Sequence, residues 1–190
     1  MSAKKVLVAI ANSTEEIEAI SVIDVLRRAG IEVVVASVEA DLTVTMSRGV
    51  KVTADQQISA CVASSWDAVV IPGGMPGSTR LSESPEVAAI LAAQSKKGGL
   101  IAAICAAPAV VLNRHGLLDG CAKATCHPGF YAELGAKGVE DRVVIDGNVI
   151  TSRGPGTAME FALTIVRVLC GEEKAKSVAG PMVVFPGMTY

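Results

Sequence analysis

A cysteine, a run of glutamates and a histidine are the side chains in this sequence whose chemistry could be combined into a reaction site. Cys105 stands at the joint between the apolar run Leu100-Ile101-Ala102-Ala103-Ile104 and the helix-forming run Ala106-Ala107-Pro108-Ala109-Val110-Val111-Leu112. A helix N-terminus places unpaired N–H groups and a partial positive charge beside the sulfur, which favours thiolate and can supply donors to an anionic intermediate. Free cysteine is also a common small core hydrophobe, so position alone leaves a reactive and an inert thiol both open. Glu15, Glu16 and Glu18 fall in the first turns of a helix, where acidic side chains often only complement the dipole, and spacing selects none of them. His127, followed by Pro128 and Gly129, is one of two histidines. Imidazole is suited to proton transfer near neutral pH, but a loop histidine is often simply solvated. Gly73-Gly74 follows an apolar run and either makes a plain turn or lets the backbone approach a ligand. In the second case the N–H groups of Gly74 and Ala106 form a candidate oxyanion site.

These residues need a frame that brings them together. Hydrophobic residues make up 51% of the 190 and aromatics only 3%, so the core must be built from Val, Ala, Ile and Leu. That composition favours buried parallel strands under Ala-rich helices. The length suits one domain, expected to span residues 1–190. Apolar runs alternate with helical periodicity as in βαβ units. A strand over Val6–Ile10 leads to a helix opened by a Ser13/Glu16 capping box, with Ile17, Ile20, Ile23 and Leu26 as its apolar stripe and Gly30 at its end. A second strand is expected over Ile31–Val38, and a hairpin at the sheet edge over Leu42–Ala54 around Ser47-Arg48-Gly49. A core strand over Trp66–Ile71 is broken by Pro72-Gly73-Gly74. Ser84-Pro85-Glu86 opens a helix that closes at Lys97-Gly98-Gly99, and Leu100–Ile104 is the next strand. Arg142–Ile145 and Val149–Thr151 flank the turn Asp146-Gly147-Asn148, and a long helix covers Thr157–Leu169. The prediction is a three-layer flavodoxin-like α/β sandwich with a mostly parallel sheet. In such folds ligands sit at the carboxyl ends of the strands, here Asn12–Glu18, Pro72–Gly77, Cys105–Ala107 and Ser152–Thr157.

Several function classes are disfavoured. A net charge of −2 without a basic cluster gives no footprint for nucleic acid or an anionic membrane, so a small-molecule partner is expected. Mean hydropathy is +0.47, yet the uncharged stretch Leu100–Leu112 is too short to cross a bilayer and contains Pro108. Met1-Ser2-Ala3-Lys4-Lys5 before Val6–Ile10 imitates a signal peptide, but Asn12 and the glutamates follow at once, and the segment reads as the first strand. Five cysteines without a compact spacing argue against a disulfide framework and for a reducing compartment, so a cytoplasmic location is expected. Cys121-x4-Cys126-His127 lacks a fourth ligand and the close cysteine pair of a zinc site, and no metal is expected. Gly154-Pro155-Gly156-Thr157 lacks the lysine of a P-loop and is adequate as a helix-entry turn.

Taken in order, Glu15-Glu16-Ile17-Glu18, Ile71-Pro72-Gly73-Gly74, Ala102-Ala103-Ile104-Cys105-Ala106-Ala107-Pro108, His127-Pro128 and Thr151-Ser152-Arg153-Gly154-Pro155-Gly156-Thr157 resemble the ThiJ/PfpI superfamily over nearly the whole chain. The resemblance implies a sandwich of the class I glutamine amidotransferase type with Cys105 at a nucleophile elbow, where the turn is strained and the thiol acidic. It implies Glu18 as the carboxylate bonded to that sulfur, His127 as the histidine beside the pocket, and Gly74 and Ala106 as oxyanion donors. Arg48, Gly154 and Pro155 would line the substrate pocket, and the chain would form a homodimer.

The activities the resemblance implies are a cofactor-free glyoxalase, a protein and nucleotide deglycase, and an oxidative-stress sensor with chaperone behaviour. The substrate would be methylglyoxal, or glycated protein or nucleotide; a sensor would need only oxidation of Cys105 to sulfinate. No metal or nicotinamide is called for. Ala106 stands where peptidase members place a histidine, and no histidine follows His127 to form the His-x-Glu pair of glutamine amidotransferases. Met46 stands where several relatives carry a second oxidisable cysteine, before Ser47-Arg48.

Overall fold

A computed structural model describes residues 4–190; Met1–Ala3, the start of the segment weighed above as a leader, lie outside them. The chain runs β1 (Lys5–Ile10), α1 (Glu16–Arg28), β2 (Glu32–Ser37), β3 (Thr43–Thr45), β4 (Lys51–Thr53), β5 (Gln56–Gln57), β6 (Ala68–Ile71), α2 (Gly77–Glu83), α3 (Pro85–Lys96), β7 (Leu100–Ile104), α4 (Tyr131–Leu134), β8 (Val143–Asp146), β9 (Val149–Ser152), α5 (Ala158–Cys170) and α6 (Glu172–Ala179). The main sheet has seven strands in the order β5-β2-β1-β6-β7-β9-β8. Every neighbouring pair is parallel except the β8–β9 hairpin. Side chains alternate between two cores, as the pleat requires. Val6, Val8 and Ile10 face the layer of α1 and α5, while Leu7 and Ala9 face the layer of α3. β6 and β7 are buried along their whole length, which accounts for their unbroken apolar sequences. The mostly parallel, flavodoxin-like α/β sandwich is therefore as expected, and the carboxyl ends of β1, β6, β7 and β9 meet at one edge.

Four local features depart from the sequence reading. The cap of α1 is Glu15, not Ser13: the Glu15 carboxylate accepts from the Glu18 N–H at 2.8 Å. Ser13 instead adopts a left-handed φ of 67° and donates its N–H to Thr45 O at 2.9 Å, so it ends a loop before the helix begins. The buried stripe of α1 is Ala19, Val22, Ile23 and Leu26, where the helix packs on α5; Ile17 and Ile20 point outward at 53% and 41% exposure. The hairpin of β3 and β4 forms its own two-stranded sheet, and β5 occupies the edge of the main one. Finally, the run after Cys105 is a turn followed by a π-helical segment at Pro108–Asn113, since proline there has no N–H for the regular ladder. The short α2 and the C-terminal α6 have no counterpart in the sequence reading.

Candidate active site

Cys105 directly follows β7, and its φ of 65° is left-handed, an uncommon state for a residue with a side chain. The conformation is held from both sides. The Cys105 N–H donates to Ser152 O at 3.0 Å, and the Cys105 carbonyl accepts the His127 N–H at 2.8 Å. A sharp strand-to-helix turn of this kind lifts the side chain off the sheet edge, which is the geometry of a nucleophile elbow. The thiol is only partly covered.

Two backbone N–H groups, those of Gly74 and Ala106, are near enough to the Cys105 sulfur to favour its charged form. Gly74 reaches it through a φ of +94°, and a Cβ there would collide with Ser13 O and lie 2.5 Å from Glu15 N. Gly73 is equally confined: a Cβ would lie 2.5 Å from Cys105 Cβ and 2.7 Å from Glu18 Oε2. Both glycines are therefore close approaches of backbone to the site rather than a plain turn.

The three glutamates separate by task. Glu15 caps α1. Glu16 holds the β3–β4 turn, its Oε2 accepting from Ser47 Oγ at 2.6 Å and its Oε1 from Arg48 N at 2.7 Å. Glu18, fully buried, turns into the site, where its Oε2 accepts the Gly73 N–H at 2.8 Å. Its Oε1 has no nitrogen or oxygen partner and is left to interact with the Cys105 side chain, without the geometry of a full hydrogen bond in this state. Burial pushes the Glu18 carboxyl up to about 7 despite the Gly73 N–H. Burial, then the charge of Glu18, push the Cys105 thiol up to about 12, against the pull of the Gly74 and Ala106 N–H groups. An acidic thiol is thus not what this protonation state holds: a buried carboxylate beside the sulfur outweighs the short helical turn after it.

His127 lies exposed, tied by its backbone N–H to the Cys105 carbonyl. Its Nδ1 accepts the Gly129 N–H at 3.2 Å, which leaves the proton of a neutral ring on Nε2. The ring adjoins Gly154, where a Cβ would stand 3.7 Å from His127 Cδ2. Gly154 is buried and Pro155 half-buried in the turn that leads into α5, with the Gly154 N–H bonded to Thr157 Oγ1 at 3.1 Å. Arg48 is at the rim: its backbone is fixed by Glu16, while its side chain is exposed and enters no ion pair among the described residues. The structure brings Glu18, Gly74, Cys105, Ala106, His127 and Gly154 to one place and leaves Arg48 at its margin. Sequence reasoning gave Gly73 and Ser152 no role of their own; a doubled glycine and a serine opposite the cysteine in the next strand were the signals. Among the described residues no group of three or more His, Cys, Asp or Glu is placed to hold a metal ion.

Known proteins are similar to this chain in sequence and in fold. Residues 4–168 match the model of the DJ-1/PfpI family. The chain is 47% identical over 187 residues to protein DJ-1 homolog B of Arabidopsis thaliana, covering 97% of this chain and 42% of that protein. It thus spans about half the length of its two Arabidopsis relatives, 42% of one and 47% of the other. The Parkinson disease protein 7 homolog of Danio rerio is 45% identical, with 97% of this chain and 99% of that one covered. A Caenorhabditis elegans protein named glutathione-independent glyoxalase DJR-1.2 is 42% identical, with 88% and 89% covered. The solved structure of oxidized Toxoplasma gondii DJ-1 superposes with a TM-score of 0.93 at 50% identity, covering 95% of this chain and 98% of that one. An elbow cysteine at the sheet edge and a match that runs through both sides of it make this chain a member of the DJ-1/PfpI family.

Proposed function

We propose that the chain, acting as one domain over residues 1–190, is a cofactor-free glyoxalase that converts methylglyoxal to lactate on Cys105, and removes early methylglyoxal adducts from protein or nucleotide by the same chemistry. The observation that carries this reading is the left-handed Cys105 with its sulfur between the Gly74 and Ala106 N–H groups and the Glu18 carboxyl. The relative named as a glutathione-independent glyoxalase supports it.

The Cys105–Glu18 pair holds the proton the reaction needs. With the proton on Glu18, the carboxyl no longer repels a negative sulfur and can donate to it, so thiolate forms where the carboxyl is neutral. The thiolate attacks the aldehyde carbon, the carbonyl π pair moves to oxygen, and the alkoxide is met by the Gly74 and Ala106 N–H groups and takes the proton of Glu18, which becomes the carboxylate. Removal of the proton on C1 by Glu18 or His127 gives an enediolate. Return of a proton to C2 gives a lactoyl thioester, which water cleaves to lactate and the free thiol. On this reading His127, whose ring adjoins Gly154, carries the shuttle, and Arg48, Gly154 and Pro155 bound the substrate. We assign the protein to the cytoplasm and to a homodimer that uses the exposed Ile17 and Ile20; no helix among the described residues is long and apolar enough to cross a membrane.

The test is lactate formation from methylglyoxal without glutathione. Cys105→Ala is expected to abolish it, and Glu18→Gln and His127→Ala to lower kcat by about 10²-fold or more, the usual cost of a general acid–base group. Full turnover by His127→Ala would remove that residue from the mechanism. A second reading, oxidation of Cys105 to sulfinate as a stress signal, is favoured by the partly open thiol and by the relative solved in an oxidized state. Two oxygens added to wild type but not to Cys105→Ala after mild peroxide, with no Cys105-dependent lactate, would establish it instead.

A further inference from the structure

We propose that Arg142 and Glu160 form a positioning pair that fixes the Gly154–Thr157 turn against the Cys105 site, braced from outside by Thr189 near the C-terminus. The inference rests on the reading of Cys105 given above. Glu160, in the first turn of α5, is buried at 5% exposure although it carries a charge. Its Oε2 accepts from Arg142 Nε at 2.7 Å, and its Oε1 accepts from Thr189 Oγ1 at 3.3 Å. Arg142 Nη2 then donates to Gly156 O at 2.8 Å. One guanidinium therefore ties a buried carboxylate to the carbonyl of the turn that carries Gly154 and Pro155, with the fork geometry that suits arginine and not lysine.

The contacts continue inward through Ser152 and Thr157. Ser152 Oγ donates to Arg142 O at 2.8 Å and lies 2.7 Å from Thr157 Oγ1. Thr157 holds both ends of the Gly154 peptide, accepting its N–H at 3.1 Å and donating to its carbonyl at 2.9 Å. Ser152 O is the acceptor for the Cys105 N–H. Gly154 in turn adjoins the His127 ring. On the outer side the pair opens to a groove of about 500 Å³ bordered by Phe185, Met188 and Thr189 of the tail. A buried charge kept in place only for stability is commonly replaceable by apolar packing. Here its partners are a site turn and a chain terminus, which is what a positioning role requires.

Removing Arg142 outright would leave the buried Glu160 carboxylate without its charged partner and risks the fold. Arg142→Lys, which cannot serve both acceptors, and the double variant Arg142→Met/Glu160→Gln, which removes both charges, keep the test usable. Both are expected to raise KM for methylglyoxal about fivefold with kcat within about twofold, the pattern of lost substrate placement rather than lost chemistry. Hydrogen exchange across Gly154–Thr157 should quicken about tenfold with the sheet unchanged, and alkylation of Cys105 by iodoacetamide should keep its wild-type rate. An unchanged KM despite faster exchange would overturn the proposal, and so would a loss of turnover matched by slower alkylation or by uniformly faster exchange. Wild type that makes no lactate would refute the glyoxalase reading instead. Exchange would then decide the coupling alone: local loosening of the turn in Arg142→Lys supports it, and wild-type protection contradicts it.

Discussion

At the scale of residues, Cys105 and Glu18 are best described as a pair that shares a proton in a place where both would rather be neutral. Burial holds the Glu18 proton up to a pH of about 7, against 4.5 for an ordinary glutamate. The folded chain therefore binds this proton more tightly than the unfolded chain does. Stability from it is fully present below about pH 4.5 and is lost as pH rises through about 7. The shift corresponds to about 3 kcal/mol at most. Glu18→Gln is accordingly expected to melt several degrees above wild type at pH 8, with the gap closing by pH 5; thermal unfolding followed across that range measures it. A constant gap at all pH values would mean that the carboxyl is not the group responsible. Cys105 was legible as a candidate from its place after Leu100–Ile104, because strand-to-helix joints expose side chains. Nothing in the order of Glu15, Glu16 and Glu18 marked the last as the one that turns inward. That follows from where α1 begins, and the resemblance to the family chose it before the geometry did.

Elements carry that information. Beginning α1 at Glu16 rather than after Ser13 puts Glu18 at the third helical position, facing Gly73. The shift arises because Ser13 is recruited by Thr45, a contact between segments 32 residues apart in the numbering that no local pattern records. Ser13 and Glu16 have the spacing of a capping box, but the interaction with β3 outweighs it. The structure predicts that Glu15→Ala destabilises the fold by about 1 kcal/mol, the ordinary value of a lost cap. Ser13→Ala should stay within about 0.5 kcal/mol; urea unfolding with unchanged slope measures both. The reverse order would restore the Ser13 cap. Core strands were legible to within two residues because β-branched runs with sharp Gly and Pro boundaries have few alternatives. The segment after Cys105 was not, because Pro108 is equally at home in the first turn of an α-helix and in the wide turn found here.

For the whole molecule, composition and alternation were enough to specify a parallel sheet between two helical layers, since Val, Ile and Ala with few aromatics have no better way to bury a core of this size. The faces of α1 were the weaker inference. Periodicity placed Ile17 and Ile20 inward, but the buried stripe of α1 runs through Ala19, Val22, Ile23 and Leu26, which leaves both isoleucines exposed at the surface. Two exposed isoleucines on a helix that also supplies Glu18 are the basis for assigning a dimer seam there. Ile17→Glu/Ile20→Glu is expected to give a monomer by light scattering at micromolar concentration, with the sheet intact by circular dichroism; a dimer that persists would place the seam elsewhere. The Arg142–Glu160 pair belongs to this scale as well, because it joins the last residues of the chain to a turn beside Cys105.

The central claim is that Cys105 takes the substrate as a covalent thioester. Wild type quenched during turnover of methylglyoxal and digested for mass spectrometry should show one methylglyoxal equivalent on the Cys105 peptide, released by hydroxylamine, and Cys105→Ala should show neither adduct nor lactate. Lactate formed at the wild-type rate by Cys105→Ala, or formed by wild type with no adduct at Cys105, would contradict it.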